Sequence, residues 1–87
     1  MKIKDGFLLR EIAGGTVVVP VGKTSVDFNG MITLNETGAF LWKQLENDIS
    51  KEELLQRLLA EYDVTEDLAK KDIDAFIAKL KDADLID

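Results

Sequence analysis

The sequence predicts an α+β fold in which a three-stranded N-terminal antiparallel sheet is followed by three helices. Up to about residue 34, apolar and β-branched residues occur in short runs separated by glycine-containing turns, which is typical of strands. Beyond residue 35, apolar residues recur at spacings of three and four, the period of an α-helix. With 87 residues and 46% hydrophobic content, the chain is expected to form a single domain over residues 1–87.

The first two strands are predicted to form a hairpin. Residues 7–12 and 16–21 are rich in strand formers, and they flank Ala13-Gly14-Gly15, whose glycines suit a tight turn. Pro20 has no N–H to donate to a neighbouring strand. It is therefore expected near a strand end or facing away from a neighbour.

A third strand is predicted to pass directly into the first helix. Asn29-Gly30 is a turn dipeptide, and residues 31–34 form an apolar and β-branched run of strand length. Asn35 occupies the position of a helix N-cap, with Glu36 favourably placed in the first turn. The core side of this helix, over about residues 36–46, is predicted to consist of Gly38, Leu41, Trp42 and Leu45.

Two further helices are predicted in the second half of the chain. Residues 50–53 match a capping box, in which the Ser50 hydroxyl and the Glu53 carboxylate each accept from the other's backbone N–H. Residues 63–65 interrupt the apolar pattern before a last helix over about residues 66–83. Its apolar stripe is Ala69, Ile73, Phe76, Ile77 and Leu80, and Leu85 and Ile86 are expected to fold back onto the core.

The composition excludes several classes of function. The chain has neither Cys nor His, and so it has no thiol nucleophile, imidazole base, disulfide or Cys/His metal site. Its net charge is −6, with +1 on residues 1–34 and −7 on the rest, which disfavours binding to nucleic acid. The first apolar run, residues 7–9, is too short for a signal peptide or a membrane span. A cytoplasmic protein without membrane contact is expected.

Three motifs have simple structural readings. Gly22-Lys23-Thr24 imitates the end of a phosphate-binding loop, but the preceding glycine and the following helix are missing, so it is read as a turn. Residues 27–30 match only the opening of a calcium loop and are also read as a turn. The remaining candidate, read as a solvated surface because lysines alternate with its carboxylates, comprises Asp72, Asp74, Asp82 and Asp84. No metal or cofactor is expected.

Several segments together carry a resemblance to a known family. The strongest is Leu34-Asn35-x-Thr37-x-Ala39-x-x-Trp42, and weaker ones are Phe7-Leu8-Leu9-Arg10, Val17-Val18-Val19-Pro20, Glu52-Glu53-Leu54, Glu61-Tyr62 and the run from Asp72-Ile73 to Leu85-Ile86. Over nearly its whole length, the chain resembles the PqqD family, small peptide-binding proteins named for coenzyme PQQ synthesis and also known as RiPP recognition elements.

The resemblance implies a winged-helix-like arrangement that binds the leader segment of a ribosomally made precursor peptide. In that family, the leader adds a strand to the sheet in a groove between the third strand and the third helix, while a partner enzyme, often a radical SAM enzyme, modifies the peptide. The family has no catalytic residues to transfer, and the PQQ pathway itself is not implied. Carried onto this sequence, the peptide-binding residues are Met31, Ile32 and Thr33 on the strand, and Ala75, Phe76 and Lys79 on the helix.

Two other functions stay open at this stage. A winged-helix DNA-binding protein would use the lysines of the third helix, although interleaved aspartates cancel their charge and no arginine is present there to read guanine. A purely structural subunit of a partner enzyme is the second alternative. Strand addition predicts that Ile32→Pro abolishes peptide binding, provided that the Ile32 N–H faces outward. The oligomeric state, the peptide and its modification are not given by the sequence.

Overall fold

The computed structural model describes residues 1–22 and 32–86, and it has the predicted α+β fold. In this part of the chain, an open antiparallel sheet of three strands precedes three helices. The strands are β1 (Phe7–Ile12), β2 (Gly15–Pro20) and β3 (Ile32–Leu34). The helices are α1 (Glu36–Leu45), α2 (Lys51–Glu61) and α3 (Glu66–Asp82).

The chain groups into two compact units. The sheet unit consists of Lys4–Phe40, and the helical unit consists of Met1–Ile3 together with Leu41–Asp87. Helix α1 begins in the first unit and ends in the second. No helix in residues 1–22 and 32–86 is long and apolar enough to cross a membrane.

The sheet has the strand order β1-β2-β3, with β2 in the centre. In the hairpin, Ile12 pairs with Gly15, so the turn contains only Ala13 and Gly14. The sequence placed Gly15 in the turn, but the pairing shows that β2 begins one residue earlier than predicted. Gly14 has a φ of 93°, a conformation that glycine adopts without steric cost. Pro20 is the last residue of β2, as expected.

Strand β3 passes into α1 through Asn35 alone. The Asn35 Oδ1 accepts a hydrogen bond from the Gly38 N–H at 2.7 Å, and the Asn35 carbonyl accepts from the Ala39 N–H at 2.9 Å. This geometry satisfies backbone donors that a helix leaves unpaired at its first turn. The predicted N-cap is confirmed, and it fixes the point at which β3 ends.

The helical unit has an apolar core drawn from all three helices and both ends of the chain. The Ser50 Oγ accepts from the Glu53 N–H at 3.1 Å, and the Thr65 Oγ1 accepts from the Leu68 N–H at 3.3 Å, so both later helices begin where predicted. The reciprocal half of the capping box is different, because the Glu53 carboxylate accepts from Arg57 at 2.9 Å. The predicted stripe of α3 is buried, together with Leu41, Trp42, Leu45, Leu54, Leu55, Leu58, Leu85 and Ile86.

The first three residues belong to the helical unit, which the sequence did not predict. The Ile3 side chain is buried, its N–H donates to the Leu45 carbonyl at 2.9 Å, and it forms an isolated bridge with Ile86. The Met1 ammonium donates to the Asp48 Oδ1 at 3.0 Å and to a backbone carbonyl at 2.8 Å. This hydrogen bond and the ammonium charge lower the pKa of Asp48 below its usual value.

Candidate functional site

Strand β3 is an edge of the sheet in the part of the chain that the structure describes. It pairs with β2 on one side, and no described strand lies on the other. An edge strand presents unpaired N–H and C=O groups with which another chain can pair. The groups that are free depend on which residues of β3 direct their backbone toward β2.

The pairing of β1 with β2 fixes the direction of every backbone group in the sheet. The Val21 N–H donates to the Gly6 carbonyl at 2.8 Å, one step beyond the Phe7–Pro20 pair. Hydrogen-bonded and non-hydrogen-bonded pairs alternate along an antiparallel ladder. Odd-numbered residues of β2 therefore bond to β1, and Thr16 and Val18 direct their backbone groups toward β3.

The same alternation places the free donor of β3 at Thr33. Thr16 pairs with Leu34 and Val18 pairs with Ile32, so Ile32 and Leu34 use their N–H and C=O groups within the sheet. Thr33 is opposite Val17 in a non-hydrogen-bonded pair, and its N–H and C=O point away from β2. The condition for the Ile32→Pro test is not met, because Ile32→Pro would break the sheet itself. Thr33 is the position at which proline removes an outward donor.

The predicted strand residues differ in their surroundings. Met31 lies outside the described residues. The Ile32 side chain is half-buried, and the Thr33 side chain is exposed on the other face of the sheet. The edge therefore combines an accessible backbone at Thr33 with neighbours whose side chains are at least partly packed.

The predicted helix residues lie on or beside one exposed flank of α3. Ala75 and Lys79 are exposed and are separated by one helical turn. Phe76 is only 9% exposed and belongs to the buried stripe, at the border of this flank. Phe76 is therefore mainly a core residue.

Two residues that were not among the predicted binding residues share this flank. Leu68 and Asp72 precede Ala75 and Lys79 at helical spacings of four, three and four, so all four lie along one line on α3. Leu68 is 49% exposed, which is high for a large apolar side chain. We call Leu68, Asp72, Ala75 and Lys79 the α3 flank. The spacing of these four residues is visible in the sequence, but it does not distinguish them from other exposed positions of α3.

The opposite side of α3 faces α2. Lys51 forms an ion pair with Asp74 that joins the two helices. Beside it is a cleft of about 540 Å³, with Leu55 and Ile73 as its apolar lining and charged side chains at its rim. None of the predicted binding residues lines this cleft.

Each compact unit contains some of the residues that the resemblance predicts to bind a peptide. The strand residues belong to the sheet unit and the α3 residues to the helical unit. Thr33 on the strand has an outward backbone donor and acceptor, and the α3 flank has apolar, acidic and basic side chains. Within residues 1–22 and 32–86, no cluster of three or more acidic residues is arranged to hold a metal ion.

Two solved structures share the fold. One is described as TbiB1 in complex with the TbiA(beta) leader peptide, with a TM-score of 0.77 and 24% identity, covering 100% of this chain and 95% of that chain. The other is a lasso peptide synthetase B1 complexed with the leader peptide, with a TM-score of 0.70 and 23% identity, covering 93% of this chain and 89% of that one. A search of curated proteins gave no match.

A protein-family model matches most of the chain. The family is described as coenzyme PQQ synthesis protein D, PqqD, and the match covers residues 15–86. This range contains β2, β3 and all three described helices, and thus the outward-facing Thr33 and the α3 flank. The chain therefore belongs to the PqqD family.

Proposed function

We propose that this chain binds the leader segment of a ribosomally made precursor peptide by strand addition at β3 and presents it to a modifying enzyme. The observation that carries the proposal is the outward N–H and C=O of Thr33 on an edge strand. Membership of the PqqD family and the leader peptides bound by two proteins of the same fold support it. We further propose that the chain is not itself an enzyme, that its partner is a radical SAM enzyme and that both act in the cytoplasm.

Backbone pairing alone gives little affinity. Each added hydrogen bond contributes about 0.5 to 1.5 kcal/mol net, and ordering the peptide costs roughly 1 to 2 kcal/mol per residue. The two contributions nearly cancel over a short strand. Affinity and sequence selectivity must therefore come from peptide side chains that lose contact with water on the protein surface.

The α3 flank is the surface we propose for those side chains. Leu68 offers an apolar contact, and Asp72 and Lys79 offer charges of opposite sign. A leader with an apolar residue and a basic residue suited to Asp72 would be favoured. Because residues 35–87 carry a charge of −7, a basic leader should also bind less tightly as salt is added.

DNA binding has less support from the surface of α3. Its exposed lysines alternate with exposed aspartates, and Asp74 is paired with Lys51. A phosphate backbone requires a continuous basic surface. The described residues of α3 do not provide one.

Thr33→Pro tests the strand addition directly, with Thr33→Val as the matched control. Proline at an edge position removes only the outward N–H and leaves the bonds to β2 in place, whereas valine keeps the N–H. A lost donor facing the peptide costs about 1 to 3 kcal/mol, which is roughly a 5- to 160-fold increase in Kd.

The assay is fluorescence anisotropy with a labelled leader peptide from the precursor reading frame encoded beside this chain. Circular dichroism establishes that each variant is folded. Weak binding by Thr33→Pro and normal binding by Thr33→Val is the expected result. A folded Thr33→Pro protein with unchanged affinity would show that the leader does not pair with this edge.

A further inference from the structure

The exposed apolar side chains of the sheet unit lie on one face of the sheet. In the described part of this unit, the large apolar residues with the greatest exposure are Leu8 at 42%, Ile12 at 53% and Val21 at 40%. Side chains alternate along a strand, and directly paired residues share a face. Leu8 pairs with Val19, and Val21 follows two residues later, so the apolar residues belong together.

We call this surface the Leu8 face. It consists of Leu8, Arg10 and Ile12 of β1, Val17 and Val19 of β2 with Val21 just beyond, and Thr33 of β3. Val17 is buried and Val19 is half-buried, so the accessible part of the face is formed by the other five residues. Arg10 is the only charged side chain that the described strands place on it, because Glu11 points to the opposite face. The described strands thus give this face one cation and no carboxylate, in a chain with a net charge of −6.

The Leu8 face and the proposed peptide site lie on the same face of the sheet, with the buried Val17 between Arg10 and Thr33. Thr33 lies on this face, and its backbone is the outward edge of β3. A strand added there would become the next strand of the same sheet, and alternate side chains of that strand would extend the Leu8 face. A protein that docks on this face would therefore contact the bound peptide as well.

We propose that the Leu8 face is the docking surface for the enzyme that modifies the bound peptide, and that this enzyme contributes an apolar surface with a carboxylate against Arg10. The inference rests on the proposed function. Because the added strand enlarges the face, the enzyme binds the peptide-loaded protein more tightly than the free one.

A second copy of the chain fits this face less well. Packing the face against itself about a two-fold axis through its centre would bring the two Arg10 side chains toward each other, and the described strands place no carboxylate there to separate them. Two chains of charge −6 also repel each other.

The test compares Arg10→Glu and Ile12→Thr with Glu11→Lys, a control that alters the neighbouring residue on the opposite face. The probe is the modifying enzyme encoded beside the precursor, and its association with each protein is measured with and without leader peptide. We expect Arg10→Glu to raise the enzyme Kd at least tenfold and Ile12→Thr to raise it several-fold. Glu11→Lys should change the enzyme Kd less than twofold, and all three variants should bind the leader within twofold of the wild type.

Each possible outcome decides the inference. Wild-type enzyme affinity in both Leu8-face variants would overturn it, as would equal affinity for the loaded and free proteins. A wild-type dimer in sedimentation equilibrium that Ile12→Thr dissociates would assign the face to a second copy instead. If the leader fails to bind the wild type, the proposed function fails, and enzyme association with the peptide-free variants still decides whether the face is used.

Discussion

Replacing Leu68 by serine tests whether the α3 flank takes part in peptide binding. Leu68 is 49% exposed, so a bound peptide can remove only about half of its surface from water. Complete burial of a leucine side chain is worth about 1.5 to 3 kcal/mol, and the exposed half therefore corresponds to about 0.7 to 1.5 kcal/mol. The leader Kd is expected to rise about 3- to 13-fold.

The measurement is the same anisotropy titration, with Leu68→Met as the control that keeps an apolar side chain of similar size. The fold should tolerate both changes, because the Leu68 backbone N–H still donates to the Thr65 hydroxyl. Leu68→Met should bind within about twofold of the wild type, since the swap conserves volume and polarity. If Leu68→Ser binds normally while Thr33→Pro does not, the leader pairs with β3 without using this part of α3.

Three further predictions concern stability. Asn35→Ala removes the cap bond to Gly38 and should lower the free energy of unfolding by about 0.5 to 2 kcal/mol, with Asn35→Asp close to wild type in a urea titration. Leu45→Ala, at a fully buried position, should cost about 2 to 5 kcal/mol in the same measurement. The lowered pKa of Asp48 means that its ion pair with the Met1 ammonium stabilises the fold above the carboxyl group's unfolded pKa and is lost as the pH falls through the folded pKa. Thermal unfolding of Asp48→Asn should lack this acid-side loss.

The local elements could be predicted because their signals are local. The predicted caps at Asn35 and Ser50 are short-range contacts between a side chain and a backbone N–H three residues on, and both are present. Thr65, predicted only as part of the break before α3, forms a cap of the same kind. The buried stripe of α3 follows directly from helical spacing. Asn35 and the stripe also gave the resemblance much of its pattern.

The features that the sequence did not reveal depend on distant pairings. The bridge between Ile3 and Ile86 joins the two ends of the chain, and no local pattern marks either residue for it. The outward direction of the Thr33 N–H follows from two long-range observations. One is the hydrogen bond between Gly6 and Val21 beside β1 and β2, and the other is the pairing of β2 with β3. The sequence placed Gly15 in the turn and not in β2. A one-residue error of this kind in the strand pairing would reverse which residues of β3 direct their N–H groups outward.

The candidate site was predictable in kind more than in detail. The strand edge at Ile32 and Thr33 came from the resemblance, and the structure identifies which of the two has a free N–H. For Ala75, Phe76 and Lys79, a role in binding stays a prediction. Leu68 joins the candidate site because of its measured exposure. Its spacing along α3 alone is equally compatible with an ordinary solvent-facing leucine.

Hydrogen exchange at the Thr33 amide tests strand addition most directly. In the free protein, the Thr33 N–H should exchange faster than those of Ile32 and Leu34, which are bonded within the sheet. Saturation with the leader peptide should slow exchange at Thr33 at least tenfold, because a strand paired at this edge would accept its hydrogen bond. Unchanged exchange at Thr33 in a protein shown by anisotropy to be saturated would contradict the account.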